Sequence, residues 1–314
     1  MDPRLRVDVG IVTWNTRDLT VKAIRRLVDG EPTCDLRILV HDNASNDGTP
    51  EAIRAEVPQA MVEVAGANLG FARGMNRLIA RSDAPWFLAL NSDAWPDPGA
   101  VATMVRAAQE HPNIGAVAPR IERPEGGLEH STFPFPSARV ALLTMARGYS
   151  QRFGRTARRR LLVGAWDHDK PTTVDWAVGA ALLMPRAVID RVGGFDERFF
   201  MYAEDLDWCW RATRAGHPVW FEPKAVIRHV GGASAAQSYG DRAPIAYMRN
   251  TYRFYRRAHG AIATAAYRAA NLIGSSRLLA SHLIRRDHRQ ARYWAIQVRA
   301  NLTSSRGADG PPPR

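Results

Sequence analysis

From Val7 to Ile121 the chain alternates short β-branched runs with amphipathic stretches, and this rhythm limits the fold more than any other feature. "VDVGIVTW" from Val7, "LRILVHDN" from Leu36, "AMVEVAG", "PWFLALNSDA" and "IGAVAPRI" read as strands. Between them lie helical stretches: Leu19–Val28, "TPEAIRAEV" from Thr49 with Pro at its first position, "GFARGMNRLIARS" and "PGAVATMVRAAQEHP". Such a chain is expected to form a doubly wound, mostly parallel α/β sheet flanked by helices. Ligands bind such sheets at the carboxyl ends of the strands. Polar residues stand at those ends: Thr13 and Asn15, Asp42 and Asn43, Asn91 and Asp93.

The rhythm stops at residues 122–172, where "RPEGGLEHSTFPFPSAR" reads as loop. Residues 147–160 hold six Arg and no acid, which suits either a mobile segment over a site or a solvated, partly disordered insertion. After about residue 240 the chain reads as helical. Ile262, Ala266, Ala269, Ile273, Ala280, Leu283 and Ile284 keep helical spacing, and Arg268, Arg285 and Arg286 fall off that stripe. Residues 303–314 read as a disordered tail.

Charge separates these regions. The net charge is +12, and residues 242–314 supply it with 14 Arg, no Lys, two Asp and no Glu. The first 241 residues are neutral, with 29 basic and 29 acidic side chains. An anionic partner for the tail is implied, and nucleic acid and an acidic membrane surface both qualify. Two cysteines, Cys34 and Cys209, fit a reducing compartment rather than a disulfide framework. The start of the chain does not read as a signal peptide, and no stretch has the apolar length of a bilayer span. The expected location is cytoplasmic, either soluble or peripheral on the inner face of the cell membrane.

Five stretches carry the chemistry. In "ALNSDAWPDP" a strand end delivers Asn91 and Asp93, which suits a divalent cation on phosphates, or a turn bonded to its own backbone. In "RHVGGAS" His229 can ligate a metal or serve the core, and Gly231 and Gly232 free the backbone to close on a phosphate. In "VHDNASNDGT" Asp42 can accept from a nucleobase N–H or form an Asx-turn. "NLGFARGMN" offers Gly70 and Gly74 for close backbone approach, with Asn68 and Asn76 as polar contacts. It lacks the glycine spacing of dinucleotide and Walker A loops. In "FMYAEDLDWCWR" Asp207 can pair with Arg211 one helical turn on. Glu204 can cap or anchor the helix start. Asp205 has no intrahelical partner there; the helix dipole favours its ionised form, and an ionised carboxylate facing a cleft is a candidate general base.

"VGIVTWN", "HDNASNDGT", "NLGFARGMN", "LNSDA", "GGFDERFFMYAEDLDWCWR" and "HVGGAS", in this order over roughly residues 6–235, resemble the inverting family 2 glycosyltransferases of the GT-A fold. Within the family they look most like bacterial rhamnosyltransferases of cell-wall and surface polysaccharide synthesis. The resemblance implies a catalytic domain over residues 1–240, with a nucleotide-sugar half at about 1–120 and an acceptor half at about 121–240. An Arg-rich helical extension would follow at 241–302. It also implies that Thr13, Asn15, Asp42, Asn68, Gly70 and Asn76 bind the nucleotide, with Asn91, Ser92 and Asp93 where the family carries Asp-x-Asp. Asp93 and His229 would hold a divalent metal, Mg or Mn. Gly179, Trp176 and Trp208 would lie on the sugar or acceptor side, and Asp205 would be the base, with Glu204 beside it.

The implied reaction moves a sugar, first choice L-rhamnose from dTDP-rhamnose and second a UDP-hexose, to a glycan acceptor of the polyprenyl-diphosphate-linked class. No Q-x-x-R-W stretch occurs, so transfer of one or few sugars is expected. Asn91 departs from the stricter Asp and Trp14 stands where Tyr is frequent. A nucleotidyltransferase of similar fold is disfavoured because "GIVTWNTRD" lacks a Gly-rich phosphate loop. The collinear motifs also argue against nucleic-acid binding as the main function. The helical stripe is expected either to dock on anionic lipid or to pack on protein.

Overall fold

The computed structural model describes residues 5–145, 168–231 and 243–303. Their elements, in order, are β1 (Leu5–Thr13), α1 (Arg17–Gly30), β2 (Cys34–Asp42), α2 (Thr49–Glu56), β3 (Met61–Val64), α3 (Phe71–Ala80), β4 (Trp86–Asn91), β5 (Ala94–Pro96), α4 (Ala100–Glu110) and β6 (Ala116–Glu122). Short elements follow: β7 (Leu128–Glu129), β8 (Thr132–Phe133), α5 (Ala138–Met145), β9 (Thr172–Val174) and β10 (Trp176–Ala177). The rest are β11 (Ala181–Pro185), α6 (Arg186–Val192), α7 (Glu204–Arg214), β12 (Val219–His229), α8 (Ala243–Ile284) and α9 (His288–Leu302). The Arg-rich stretch 147–160 lies outside the described residues, as do residues 304–314.

The first unit, built from residues 5–133, 168–200 and 204–231, holds a ten-stranded sheet. Its main path runs β3-β2-β1-β4-β11-β6-β12-β5, with β7 on β6 and β9 on β12. Strands β1 to β4 pair in parallel, and β6 pairs in parallel with β12. Between these groups β11 runs antiparallel to both neighbours. The expected mostly parallel α/β sheet is borne out. Strands covered on both faces need apolar residues on both, which is why β1 and β2 read as near-continuous runs. Val7, Val9 and Ile11 are fully buried.

"PWFLALNSDA" is not one strand. β4 stops at Asn91, the chain turns at Ser92–Asp93, and β5 crosses to the far edge of the sheet to pair with β12. That excursion places Asp93 beside the end of β12.

The second unit groups α5 and residues 201–203 with α8 and α9, so residues 134–145 leave the acceptor half expected from the linear boundaries. Asn250 Nδ2 donates to Met201 O at 2.8 Å. Gly260, at φ 82°, interrupts α8. Before Gly260 α8 buries Met248, Tyr252, Phe254 and Tyr255 among others, and after it Tyr267, Ala270, Asn271, Gly274 and Ser275. The Tyr252 hydroxyl donates to Asn301 Oδ1, and Arg268 donates to the Asn301 and Thr303 carbonyls at 2.6 and 2.9 Å, closing the end of α9. The apolar stripe from Ile262 to Ile284 is not the packed face: each of its seven residues is exposed.

Candidate functional site

The nucleotide-side residues gather where β1 and β2 end. Thr13 is buried, and its hydroxyl is shared with Thr16 and Thr20 at 2.9 and 2.8 Å. Thr16 in turn meets Ser92 Oγ at 3.0 Å. Thr13 therefore sets the loop after β1 and ties it to the turn after β4, instead of offering its hydroxyl to a nucleoside. Asn15, at φ 51°, accepts from Asn46 N at 2.8 Å and donates its own N–H to Ser45 Oγ at 2.8 Å, which joins the loops after β1 and β2. Asp42 is fully buried; Oδ1 accepts from Ser45 N at 2.8 Å, and Oδ2 has no hydrogen-bond partner. A buried orphan acceptor costs about 1–3 kcal/mol unless a ligand donates to it.

Asn68 Oδ1 accepts from Gly70 N at 2.9 Å, and Gly70 has φ 82°. A Cβ at Gly70 would lie 2.4 Å from Phe200 O, so this start of α3 admits only glycine. Asn76 departs from its expected nucleotide role. Its amide donates to Phe195 O and accepts from Phe195 N, both at 2.8 Å, so its polar atoms fasten the "GGFD" loop to α3.

Asp93 and His229 meet as the sequence suggests. The pairing of β12 with β5 sets His229 opposite Ala94, and Val230 N donates to Asp93 O at 3.0 Å. His229 Nε2 lies 3.3 Å from Asp93 Oδ1, within ion-pair range but not directed as a hydrogen bond. On the other side of the ring, Nδ1 lies 3.2 Å from Glu129 Oε1. Burial opposes the imidazolium, but the two flanking carboxylates outweigh it and raise the His229 pKa to about 9. Glu129 escapes sequence reasoning because β7 has two residues and no periodicity; only its pairing with β6 brings it here.

Asp93 Oδ1 and His229 Nε2, 3.3 Å apart, form a donor pair that fits a divalent ion once the imidazolium gives up its proton. Among the described residues no cluster of three or more His, Cys, Asp or Glu side chains is arranged to hold a metal. Gly231, at φ 82°, follows with the freedom expected of it, and Gly232 lies outside the described residues.

The three carboxylates of "AEDLD" separate by partner. Asp207 is fully buried and accepts from Arg211 Nε at 2.9 Å, as the spacing predicts. Arg211 also donates to the carbonyls of Val192 and Gly194, so this pair braces the glycine loop. Asp205 Oδ2 accepts from Gly179 N at 2.8 Å and Oδ1 from its neighbour Leu206 N at 2.7 Å. Gly179 thus holds the candidate base. Next to it Ala180 O accepts from Asn91 N at 2.9 Å, so Gly179–Ala180 links the Asp205 carboxylate to the Asn91–Asp93 turn.

Burial raises the Asp205 pKa against the pull of these N–H donors, where the helix dipole alone predicts an easily ionised group. Glu204 is pushed well above the usual carboxylate range by burial and by the Asp205 charge, and its Oε2 has no hydrogen-bond partner. Trp208 is corrected: it is fully buried, donates to Gly193 O at 3.0 Å, and has no surface to offer a sugar. Trp176 is also buried, against Phe133 with ring centroids 5.1 Å apart.

Residues 8–161 match the profile of Glycosyl transferase family 2. The chain is 31% identical over 237 residues, 71% of its length and 75% of the relative's, to N-acetylglucosaminyl-diphospho-decaprenol L-rhamnosyltransferase of Mycobacterium tuberculosis. This chain belongs to glycosyltransferase family 2. It is a glycosyltransferase. Solved structures share the fold at lower identity. The mannosyltransferase PcManGT from Pyrobaculum calidifontis, in complex with GDP-Man and Mn2+, superposes with TM-score 0.59 at 17% identity over 96% of this chain and 86% of that one. Residues 1–349 of TarS from S. aureus superpose with TM-score 0.51 at 14% identity, over 94% and 91%. Among the described residues no helix is long and apolar enough to cross a membrane.

Proposed function

We propose that this glycosyltransferase is an inverting, non-processive rhamnosyltransferase that moves L-rhamnose from dTDP-rhamnose to a polyprenyl-diphosphate-linked glycan. The observation that carries the mechanism is the Asp205 carboxylate, held by the Gly179 and Leu206 N–H groups beside the turn that bears Asp93. Each carboxylate oxygen keeps a lone pair for an acceptor hydroxyl. Asp205 takes the hydroxyl proton, the oxygen attacks the anomeric carbon from the face opposite the diphosphate, and the bond to the diphosphate breaks with inversion. The raised pKa makes Asp205 a stronger base than an exposed carboxylate. Burial and the Asp205 charge push the Glu204 pKa well above its ordinary value, which favours the proton of the pair on Glu204 and the negative charge on Asp205.

Asp42 Oδ2 suits the imide N–H of thymine or uracil. Asp93 and His229 would hold a divalent ion, which when bound offsets the charge growing on the departing diphosphate. The acceptor class follows the N-acetylglucosaminyl-diphospho-decaprenol named for the mycobacterial relative.

The test is a donor screen. The protein is incubated with Mn2+ or Mg2+, a panel of dTDP- and UDP-sugars and a lipid-linked acceptor, and nucleoside diphosphate release is followed. Release from dTDP-rhamnose, reduced on the order of a thousandfold in Asp205→Asn with nucleotide binding kept, is the expected result. Turnover of a UDP-hexose in its place overturns the donor. Full activity in Asp205→Asn overturns the base.

A further inference from the structure

We propose that the exposed face of the second half of α8 is an interfacial surface that lies on an anionic lipid bilayer. The face is long. Ile262, Ala265, Ala266, Ala269 and Ile273 recur at helical spacing, exposed Ser276 and Arg277 occupy the next turn of the face, and Ala280, Leu283 and Ile284 resume it; all are exposed. Ile262 is 90% exposed, Ile284 83%, Ile273 63% and Leu283 57%. The stripe runs for about 33 Å at a rise of 1.5 Å per residue. Two exposed apolar stretches on one helix face, separated by a single turn that carries Ser276 and Arg277, mark an interaction site.

Charge decides the partner. Between residues 243 and 303 the one acidic residue is Asp287, and it is engaged by His282 and by Gln290 N. Exposed Arg256 and Arg257 precede the stripe, and exposed Arg285, Arg286, Arg289 and Arg292 follow it. Apolar residues on one helix face with Arg at both ends fit the boundary between acyl chains and anionic headgroups. The helix lies in that plane, since it is too polar to cross. A second copy of the chain fits poorly: in either direction of apposition basic ends would meet basic ends. Nucleic acid would satisfy the arginines but leave the isoleucines in water. The inference stands on this unit alone and does not depend on which sugar is transferred.

Flotation of the full-length protein with vesicles of phosphatidylcholine, with and without about 30% phosphatidylglycerol, tests it. The wild type is expected to float with the anionic vesicles and to dissociate as salt rises. Ile262→Glu/Ile284→Glu and Arg285→Gln/Arg286→Gln/Arg289→Gln/Arg292→Gln should each lower partitioning at least about tenfold. Both variants should keep the wild-type melting temperature and hydrolysis of soluble donor, which separates failure of the surface from failure of the enzyme. Equal binding to neutral vesicles, or none to either, overturns the proposal. So does a wild-type dimer in light scattering that Ile262→Glu/Ile284→Glu converts to monomer, which would give the face to a second copy.

Discussion

In the sheet unit Val7, Val9 and Ile11 are fully buried, while Ile262 and Ile284 of the helical unit are 90% and 83% exposed and Asn271, Ser275 and Asn301 are buried. Both units contain apolar residues at regular spacing. In the sheet unit the spacing marks the core, because a strand between two neighbours has helices on its faces and must be apolar. In the helical unit it marks the surface, and the packed face joins an aromatic group, Tyr252, Tyr255 and Tyr267, to a polar, small-residue seam: Asn271 donates to Tyr267 O at 3.1 Å, Ser275 to Asn271 O at 2.7 Å and Asn301 to Gln297 O at 2.9 Å. A helix pair can close on such a seam because small residues permit near approach and every polar group finds a local partner. Its apolar stripe is then left over.

The largest effect after Asp205→Asn is expected at Glu129, where the sheet unit spends a carboxylate on a histidine. Glu129→Gln keeps the shape but not the charge that orients the His229 ring. Metal affinity should fall about 10- to 100-fold, as when the partner of a ligating imidazole is removed. Titration of Mn2+ by electron paramagnetic resonance in the presence of nucleoside diphosphate reads this directly. An unchanged affinity would mean that Asp93 and backbone alone fix the ring.

The next effect belongs to the helical unit. Asn301→Ala removes the acceptor of the buried Tyr252 hydroxyl. A loss of about 1–3 kcal/mol in urea unfolding is expected. If Asn301→Leu is as stable as the wild type, the seam is held by shape and not by its hydrogen bonds.

These contrasts explain what was legible beforehand. The parallel strands were readable because burial on both faces leaves no choice but β-branched runs. Asp93, His229 and Asp205 were readable as chemistry-bearing residues near strand and helix ends, and the geometry brings the first two together. Glu129 was not, since a two-residue strand leaves no pattern. Asn76 and Trp208 misled for a related reason. Polar and aromatic side chains near a glycine loop suit a ligand or the loop itself, and hydrogen bonds to Phe195 and Gly193 decide for the loop. The α8 stripe had a clear period, but a period says that a face exists and not what covers it.

A smaller effect is expected at Glu204, which contrasts with the braced Asp207 one turn away. Its folded-state pKa is raised above the ordinary value of 4.5. The folded protein therefore holds a proton that the unfolded chain has lost, and stability falls as pH rises from about 4.5 through the folded value, by no more than about 1.4 kcal/mol per pH unit for one proton. Glu204→Gln cannot ionise and should flatten this decline, so its melting temperature should gain on the wild type as pH rises from 5 to 9. Parallel curves would show that Glu204 is ionised in the folded protein throughout.

The smallest effect is the one that best separates the two units. Ile262→Ser removes a large apolar side chain, a change that at Ile11 of β1 would open a cavity and cost several kcal/mol. At a position 90% exposed there is no packing to lose, and the unfolding free energy should stay within about 0.5 kcal/mol of the wild type. Urea unfolding in detergent-free buffer measures it. A loss comparable to a core substitution would mean that the stripe is covered in solution, and the face would then belong to protein. An unchanged stability together with weaker binding to anionic vesicles would leave the membrane as the partner for which Ile262 is kept exposed.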